Sequence, residues 1–380
     1  MKRILTVLFL CCYLPLYAAG LQYSVIIDAG SSGSRAHVFA FGMSLPMIPI
    51  PVIKDKFNQN THPGLSSYAN NPAAAGQSLE PILQASAAYL RQVPSSRVPI
   101  SVLGTAGMRL LTTEQQAAIY ASVRQYIRKY YADIFLLQDQ DVRTITGTME
   151  GIYGWLDINY LLNNFVQTAS STKGSIDMGG ASTQIAFATT DTSKPNQELL
   201  LTLNHTTYRV FSISFLGLGQ DQARITMNTY PASPSCYPAG YPYGSNIGNF
   251  DFPLCSDTFT SVIQSYQVAE QLIPTTGTSF IAYSGIYFNY QFFSILDTPT
   301  QAALQSQIHA ICYETWDEMQ HNYPHVPPVF LANECANGVY FDDLLYNTYQ
   351  LQHSQLQVMN EINHTGIDWT LGALLYSLTQ

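Results

Sequence analysis

Residues 23–35 read Tyr-Ser-Val-Ile-Ile-Asp-Ala-Gly-Ser-Ser-Gly-Ser-Arg, an apolar strand that ends at an aspartate and turns through small residues into a second apolar strand. Gly30 and Gly33 allow the backbone to approach a ligand closely, and Ser32 adds a hydroxyl donor. Asp28, at the end of the strand, can hold a metal-bound water. A single stretch of this kind fits a phosphate-binding loop, and it fits an ordinary hairpin equally well.

The same order of residues recurs at 174–187, which read Gly-Ser-Ile-Asp-Met-Gly-Gly-Ala-Ser-Thr-Gln-Ile-Ala-Phe. Asp177 again ends a strand, a glycine turn follows, and a second strand begins near Ser182. The duplication predicts two lobes, each of which presents an aspartate and a glycine loop to a shared cleft. One polyphosphate chain in that cleft would be gripped from both sides.

A third small-residue turn lies between the two loops, at 102–111, Val-Leu-Gly-Thr-Ala-Gly-Met-Arg-Leu-Leu. It reads as a strand that turns into a helix, where free backbone N–H groups favour anions. Thr105 can donate to a terminal phosphate. Arg109 can contact substrate, but an arginine in a first helical turn is more often a structural ion-pair partner.

Apolar residues recur at helical spacing in segment 141–162, at Ile145, Met149, Ile152 and Leu156. Glu150 lies on this predicted helix beside a glycine. An isolated acidic residue on a helix is usually a solvated surface group. Transfer of a phosphoryl group to water, however, needs a carboxylate within reach of the attacking water, and Glu150 is the acidic residue that this glycine-rich stretch offers.

Length, composition and charge limit the class of protein. A chain of 380 residues with 47% hydrophobic content exceeds the usual size of a single core, and two lobes are the natural prior. The net charge of −9 argues against a nucleic-acid partner, which normally requires a clustered basic face. The same charge repels polyphosphate, so a divalent cation or oriented backbone N–H groups must supply positive potential locally.

The N-terminus resembles a secretory signal, because Lys2 and Arg3 precede an apolar run over 4–16 that is too short for a spanning helix. We expect residues 1–20 to be removed and the protein to be secreted or periplasmic, with no retained membrane anchor. An even number of cysteines then remains in an oxidising compartment, namely Cys236, Cys255, Cys312 and Cys335. Three pairings are possible, and short loops weakly favour Cys236 with Cys255 and Cys312 with Cys335.

The chain resembles the ecto-nucleoside triphosphate diphosphohydrolases, or apyrases. The family's five signature regions stand here in order, over Asp28–Arg35, Leu103–Leu111, Glu150–Leu161, Ile176–Phe187 and Gly366–Gly372. The resemblance implies an α/β fold of two actin-like, ribonuclease-H-like lobes around a central active-site cleft. It also implies that lobe one comprises 21–148 and 366–380, and that lobe two comprises 149–365.

The resemblance further implies stepwise removal of terminal phosphates from nucleoside tri- and diphosphates with Mg²⁺ or Ca²⁺, and Mn²⁺ as a further option. It implies Glu150 as the base, Gln184 beside the attacking water, and Asp28 and Asp177 as holders of the hydrated metal. Residues that match the phosphate-binding positions are Gly30, Ser31, Ser32, Gly33, Ser34, Arg35, Thr105, Gly179, Gly180, Ala181 and Ser182, of which Ser182 also counts as catalytic.

Three further expectations concern the nucleobase contact, the oligomeric state and the alternative functions. Tyr340 falls where family members place an aromatic residue against the base, although a core tyrosine is equally consistent with the sequence. A monomer is favoured. Two other functions stay open, a kinase of the same superfamily and a host-interaction protein that binds nucleotide without hydrolysis. Release of phosphate without an acceptor excludes the kinase, and the presence of Glu150 argues against the pure binder.

Overall fold

The computed structural model describes residues 21–42, 50–93, 96–165, 172–275 and 277–380. The predicted signal segment, 1–20, lies outside these residues. Over the described chain, strands and helices form two separate large sheets with helices packed on them. The protein is therefore an α/β protein with two lobes.

The first sheet has the strand order β3-β2-β1-β4-β5, with β6 paired to β4. Residues 25–29 are buried throughout, because β1 lies at the centre of a sheet whose two faces are both covered. The strands are β1 (Gln22–Ala29), β2 (Ser34–Gly42), β3 (Val52–Thr61), β4 (Val98–Gly104), β5 (Phe135–Leu136) and β6 (Val142–Thr144).

The second sheet has the strand order β14-β13-β7-β8-β10-β9. Its strands are β7 (Gly174–Met178), β8 (Ser182–Ala188), β9 (Glu198–Leu203), β10 (Thr206–Leu216), β13 (Phe280–Ser284) and β14 (Leu356–Val358). Two short hairpins lie outside both sheets, formed by β11 (Pro242–Tyr243) with β12 (Asn246–Ile247) and by β15 (Glu361–Ile362) with β16 (Thr365–Gly366).

The two sheets repeat one local arrangement around their aspartate-bearing strands. In the first sheet, β1 is antiparallel to β2 and parallel to β4. In the second sheet, β7 is antiparallel to β8 and parallel to β13. The duplicated sequence motif therefore corresponds to a duplicated three-strand unit.

Helices cover the faces of both sheets. They are α1 (Ala75–Ser78), α2 (Glu80–Leu90), α3 (Ala106–Arg109), α4 (Thr113–Tyr130), α5 (Gly147–Leu161), α6 (Gln220–Met227), α7 (Phe252–Ser265), α8 (Val268–Gln271), α9 (Gly285–Phe292), α10 (Gln301–Cys312), α11 (Trp316–Asn322), α12 (Pro328–Asp342) and α13 (Trp369–Thr379). A π-helical turn, Asp343–Thr348, follows α12.

The helices α5 and α13 pack against each other between the two sheets. A Cβ atom at Gly372 of α13 would overlap the Tyr153 carbonyl oxygen of α5, so only glycine permits this approach. Their shared core joins Phe39 of the first sheet to Trp155 of α5 and Ile281 of the second sheet. The α13 helix also contacts β1 and β3, as expected for a chain end that returns to lobe one. The exact residue boundaries of the lobes stay a prediction.

Two disulfides join the cysteines in the favoured pairing, Cys236 with Cys255 and Cys312 with Cys335. The Cα atoms of the two pairs are 4.9 and 5.7 Å apart, within the usual range for such bridges. Both bridges lie in the core of lobe two. Among the described helices, none combines the length and the apolar character that crossing a bilayer requires.

Candidate active site between the lobes

A cavity of about 440 Å³ lies where the two glycine loops meet. Its wall includes the predicted residues Asp28, Gly30, Ser31, Ser32, Arg35, Thr105, Glu150, Asp177, Gly179, Gly180, Ala181 and Ser182. The two loop tips and Glu150 therefore face one space. Gly33, Ser34 and Gln184 are not among the lining residues.

A larger depression of about 780 Å³ lies on lobe two, around Ile273, Gln350 and Gln355. The side chains that line it, among the described residues, carry no carboxylate and no basic group. It offers neither an acid nor a base for phosphoryl transfer, and the smaller cavity is therefore the candidate active site.

The first glycine loop leaves Asp28 buried with an unpaired oxygen. Asp28 stands opposite Arg35 in the β1–β2 hairpin, and the Arg35 Nη1 atom is 3.7 Å from Asp28 Oδ2. Among the described residues, none provides a hydrogen-bond partner for Asp28 Oδ1. Burial, with the nearby Asp368 charge, raises the pKa of Asp28 well above its ordinary value, although Arg35 opposes the shift. The site therefore needs further positive charge to keep Asp28 ionised.

Two glycines and a histidine side chain hold the backbone of this loop in place. A Cβ atom at Gly64 would overlap the Gly30 carbonyl oxygen, and one at Gly107 would lie 2.8 Å from the Ser31 Cα atom. The His62 Nδ1 atom donates a hydrogen bond of 2.8 Å to the Ser32 carbonyl. These contacts fix the position of the loop tip, and the sequence analysis had assigned His62 no role.

The second glycine loop is tied to side chains. The Ser182 hydroxyl oxygen accepts hydrogen bonds from Arg109 Nη2 at 3.0 Å and from Gln184 Nε2 at 2.6 Å. The Gln184 amide also contacts Ser214 Oγ at 2.8 Å and Glu150 Oε2 at 3.4 Å. The Gln184 side chain therefore contacts both Ser182 and Glu150 and helps to fix their positions.

Glu150 stands in the first turn of α5. The helix begins at Thr146, whose side chain accepts a hydrogen bond from the Met149 backbone N–H and so fixes the helix start. The Arg109 Nη2 atom lies 2.7 Å from Glu150 Oε2. Burial raises the pKa of Glu150, and the Arg109 charge and hydrogen bond oppose that shift. A carboxylate whose pKa is raised by burial is a stronger base than an exposed glutamate and is better suited to accept a proton.

Thr105 lies directly after β4, next to the first loop. Its backbone N–H donates to the Ala29 carbonyl at 3.3 Å, which joins the β4–α3 turn to the loop. The residue is buried and lines the cavity. Its position agrees with the predicted contact to a terminal phosphate.

The carboxylates of the cavity fit a hydrated divalent cation. Burial and then the Glu150 charge raise the pKa of Asp177 to about 7, while a hydrogen bond from Ser284 opposes the shift. Within the described parts of the chain, no three His, Cys, Asp or Glu side chains are close enough to ligate an ion directly. Because Asp28 Oδ1 is buried without a partner, the arrangement suits a cation whose waters fill the space between carboxylates.

Tyr340 does not reach the cavity, and its interpretation as a nucleobase contact is wrong for this structure. The residue is 0% exposed, and its hydroxyl donates a hydrogen bond of 2.6 Å to the Leu218 carbonyl. The alternative, a core tyrosine, is what the structure has. An aromatic ring does stand on the cavity wall, that of Phe288 on α9, which is 57% exposed.

The end of β13 and the turn after it were not predicted as part of the site, yet Ser284 and Gly285 lie on the cavity wall. This turn is the counterpart in lobe two of the Thr105 turn, since β13 pairs with β7 as β4 pairs with β1. The residues of the two turns are not alike, so the relation emerges only from the strand pairing. Asp368, at the start of α13, also lines the cavity and had been given no role.

A model of the GDA1/CD39 (nucleoside phosphatase) family matches residues 18–235 and 259–380. The chain is similar to the probable apyrase 3 of Arabidopsis thaliana, with 27% identity over 93% of this chain and 82% of that protein. It is similar to ectonucleoside triphosphate diphosphohydrolase 2 of Rattus norvegicus, with 29% identity and the same shares.

Solved structures support the fold. A nucleoside triphosphate hydrolase of Neospora caninum superimposes with a TM-score of 0.71 at 15% identity and covers 95% of this chain and 93% of its own. A Ppx/GppA family protein of Aquifex aeolicus gives a TM-score of 0.58 at 12% identity over 94% and 98%. The two-lobed, actin-like α/β fold expected from the sequence is confirmed.

Proposed function

Because the chain belongs to the GDA1/CD39 (nucleoside phosphatase) family, we propose that it removes terminal phosphates stepwise from nucleoside tri- and diphosphates, leaving nucleoside monophosphate and phosphate. The observation that carries this proposal is that both glycine loops and Glu150 line one cavity between the lobes. A cavity of about 440 Å³ has the size of a small-molecule site.

The phosphate chain lies between the two loops. The Gly179 N–H donates to the Ser182 carbonyl, so the backbone N–H groups proposed to face the phosphate oxygens are those of residues 30–32 in the first loop and of Gly180 and Ala181 in the second. The hydroxyl of Thr105 donates to the terminal phosphate. Phosphoryl transfer to water needs positioning and distributed charge stabilisation more than covalent catalysis, so no serine or cysteine nucleophile is required.

Glu150 accepts a proton from the attacking water. Its Oε2 atom contacts Arg109, which leaves Oε1 as the oxygen that faces the water. Arg109 and Gln184 hold the carboxylate and Ser182 in a fixed relation, so the base and the loop act as one unit. A fixed base near the bound phosphate spares the enzyme the cost of orienting it during the reaction.

Members of this family generally depend on divalent cations, and Mg²⁺ or Ca²⁺ is the ion proposed here. When bound, the cation neutralises charge on the phosphate oxygens and so favours attack by water. Asp28 and Asp177 would hold it through its waters. Both carboxylates are buried at the ends of equivalent strands, which supports their equivalent roles.

Phe288 takes the place that Tyr340 was expected to fill. An exposed aromatic ring on the wall of a nucleotide site offers a flat apolar face for the base, whatever the base is. The variant Phe288→Ala should raise KM for nucleotides several-fold and leave hydrolysis of inorganic triphosphate unchanged. An equal loss on both substrates would remove Phe288 from this role.

The enzyme is proposed to act outside the cytoplasm, as a secreted or periplasmic protein. Two disulfides support this, since such bonds persist in oxidising compartments. The predicted signal at 1–20 agrees with it. Expression of the full chain, followed by N-terminal sequencing of exported protein, tests the site of cleavage.

A phosphate-release panel tests the function. Purified protein should release phosphate from ATP, ADP and other nucleoside tri- and diphosphates with Mg²⁺ or Ca²⁺, release none from monophosphates, and stop when a chelator is added. Release that depends on an acceptor hydroxyl would instead identify a kinase, and nucleotide binding without release would identify a pure binder. Hydrolysis that persists in chelator would contradict the cation proposal.

A further inference from the structure

A buried histidine lies behind the cavity wall, on β2. The His37 side chain is almost fully buried, with Nδ1 at 2.8 Å from Asp55 Oδ2 and Nε2 at 3.3 Å from Asp368 Oδ2. Carboxylate oxygens only accept hydrogen bonds, so a ring between two of them is favoured with a proton on both nitrogens. His37 therefore lies between two carboxylates, with its Nδ1 atom hydrogen-bonded to Asp55 and its Nε2 atom in ion-pair contact with Asp368.

The pKa shifts of His37 and Asp368 agree with this arrangement. Burial alone would lower the pKa of His37, but Asp368 and Asp55 outweigh it and raise the pKa to about 10. Burial alone would raise the pKa of Asp368, but His37 and the backbone N–H of Thr370 outweigh it, and that pKa is lowered. Both shifts favour the charged forms, so the imidazole and the carboxylate stabilise each other's charge.

Two hydrogen bonds hold Asp368 in place, and the residue lines the cavity. Its Oδ1 accepts a hydrogen bond of 2.9 Å from Thr370 N–H as the N-cap of α13, and its own N–H donates to Asp157 Oδ2 at 2.9 Å. It lines the same cavity as Asp28 and Asp177. His37 and the start of α13 thus hold Asp368 on the wall of the cavity that the two predicted cation-holding aspartates also line.

The cavity wall carries more carboxyl groups than basic side chains. Asp28, Asp177, Glu150 and Asp368 all line it, whereas the Arg35 side chain on that wall is 52% exposed. The Asp28 side chain is more than nine-tenths buried, and its Oδ1 atom has no partner. A buried carboxylate oxygen without a donor points to a ligand that supplies one, such as a metal-bound water.

We propose that Asp368 is a third carboxylate around the hydrated divalent cation, positioned by His37, so that residues of both sheets and of the C-terminal helix share the ion. This inference rests on the proposed function of the same site. It assigns a cation-holding role to the N-terminus of α13 and a positioning role to His37. Three carboxylates that act through water can retain a small, strongly hydrated ion that protein ligands alone do not enclose.

The competing explanation is that Asp368 only caps α13. Asparagine caps a helix about as well as aspartate, so Asp368→Asn keeps the cap and removes the charge. Asp251→Asn is the matched control, because Asp251 caps α7 through a hydrogen bond from Leu254 N–H and is not on the cavity wall. Unfolding temperatures of both variants report whether either helix start has been damaged.

The experiment measures Mn²⁺ affinity in the presence of the non-hydrolysable analogue β,γ-imido-ATP, with free Mn²⁺ counted by electron paramagnetic resonance. Asp368→Asn should weaken Mn²⁺ binding by about 10-fold or more, as losses of outer-shell metal partners do. Asp251→Asn should bind as the unmodified protein does. Unchanged affinity in Asp368→Asn overturns the inference.

The variant Asp28→Asn distinguishes failure of the proposed cation site from failure of the proposed role of Asp368. If Asp28→Asn loses Mn²⁺ affinity and Asp368→Asn does not, the proposed function stands and the role of Asp368 is wrong. If the unmodified protein binds no Mn²⁺ with the analogue, the cation site and the inference both fail. Each result decides one of the two claims.

The role of His37 is tested by non-additivity. His37→Gln removes the buried charge, so it should weaken Mn²⁺ binding less than Asp368→Asn does, and it should have no further effect in the Asp368→Asn background. Residues that act through one another give this pattern. Additive losses would mean that His37 acts independently of Asp368 and would overturn its positioning role.

Discussion

The two glycine loops have the same sequence pattern and the same strand environment, yet they are held in different ways. The first loop is packed against backbone by Gly64, Gly107 and the hydrogen bond from His62. The second loop is tied through Ser182 to the side chains of Arg109 and Gln184, both of which also contact Glu150.

This difference indicates a division of labour between duplicated halves. The first loop is a rigid cradle with no catalytic group attached, so changes beneath it should act mainly on substrate binding. The second loop is connected to the base, so changes beneath it should act mainly on turnover. Under the proposed function, both loops bind phosphate, and only the second loop is connected to the proposed base, through the Arg109 and Gln184 contacts with Glu150.

The largest effect should come from removing the base. Glu150→Gln should lower kcat by roughly 10²-fold or more, the usual contribution of a general base, and leave nucleotide affinity largely intact. Glu198→Gln is the matched control, because Glu198 is ion-paired to Arg209 in lobe two and does not line the cavity. Steady-state kinetics and equilibrium binding measure both quantities, and near-normal turnover in Glu150→Gln would remove the residue from its role.

Two glycine variants test the division of labour itself. A Cβ atom at Gly219 would overlap the backbone nitrogen of Ser182, so Gly219→Ala should displace the second loop and lower kcat by up to about 10²-fold. Gly64→Ala displaces the first loop and should chiefly raise KM. Gly42→Ala, with open space around the added methyl group, should change neither. If Gly64→Ala and Gly219→Ala have the same kinetic signature, the two loops do not differ in function.

The Arg109 contact predicts a pH effect. The base must be ionised, and Arg109 lowers a Glu150 pKa that burial has raised. Arg109→Met removes that opposition, the pKa rises further, and the acidic limb of the kcat profile should move to higher pH. Arg209→Met, which breaks the ion pair with Glu198, should leave the limb where it is. An unmoved limb in Arg109→Met would mean that Glu150 does not set it.

The smallest effect on activity should follow from removing a disulfide. Replacement of Cys312 and Cys335 by alanine should lower the free energy of unfolding by about 2–4 kcal/mol, since the bridge closes a loop with a sequence separation of 23. KM and kcat at 25 °C should stay unchanged, because the bridge lies in the core of lobe two and not on the cavity wall. Chemical denaturation monitored by fluorescence gives the stability, and a changed KM would indicate that the bridge shapes the cleft.

The local parts of the site were accessible from the sequence, because a strand, an aspartate and a glycine turn are contiguous. Asp28 and Asp177 were found in this way, and Glu150 was found on a helical segment beside a glycine; the structure brings all three to one cavity. Tyr340 was wrong as a base contact because its burial depends on how α12 packs against the rest of lobe two, which no local pattern contains.

Residues that act over long sequence separations were missed for the same reason. His37 and Asp368 are 331 positions apart in the chain. They come into contact because α13 returns to lobe one. The sequence favoured a structural ion-pair role for Arg109 without indicating its partner. The partner is Glu150, the proposed base, so the ion pair bears on the proposed reaction. Phe288 follows β13, whose relation to β4 emerges from strand pairing and not from shared residues.

The central claim is that the two loops clasp one phosphate chain while Glu150 faces the water that attacks it. A crystal structure with β,γ-imido-ATP and Mg²⁺ tests this most directly. The account predicts the terminal phosphate between the tips at Ser32 and Ser182, with a water in hydrogen-bonding distance of the Glu150 carboxylate. Nucleotide bound outside this cavity, or Glu150 turned away from the terminal phosphate, would contradict it.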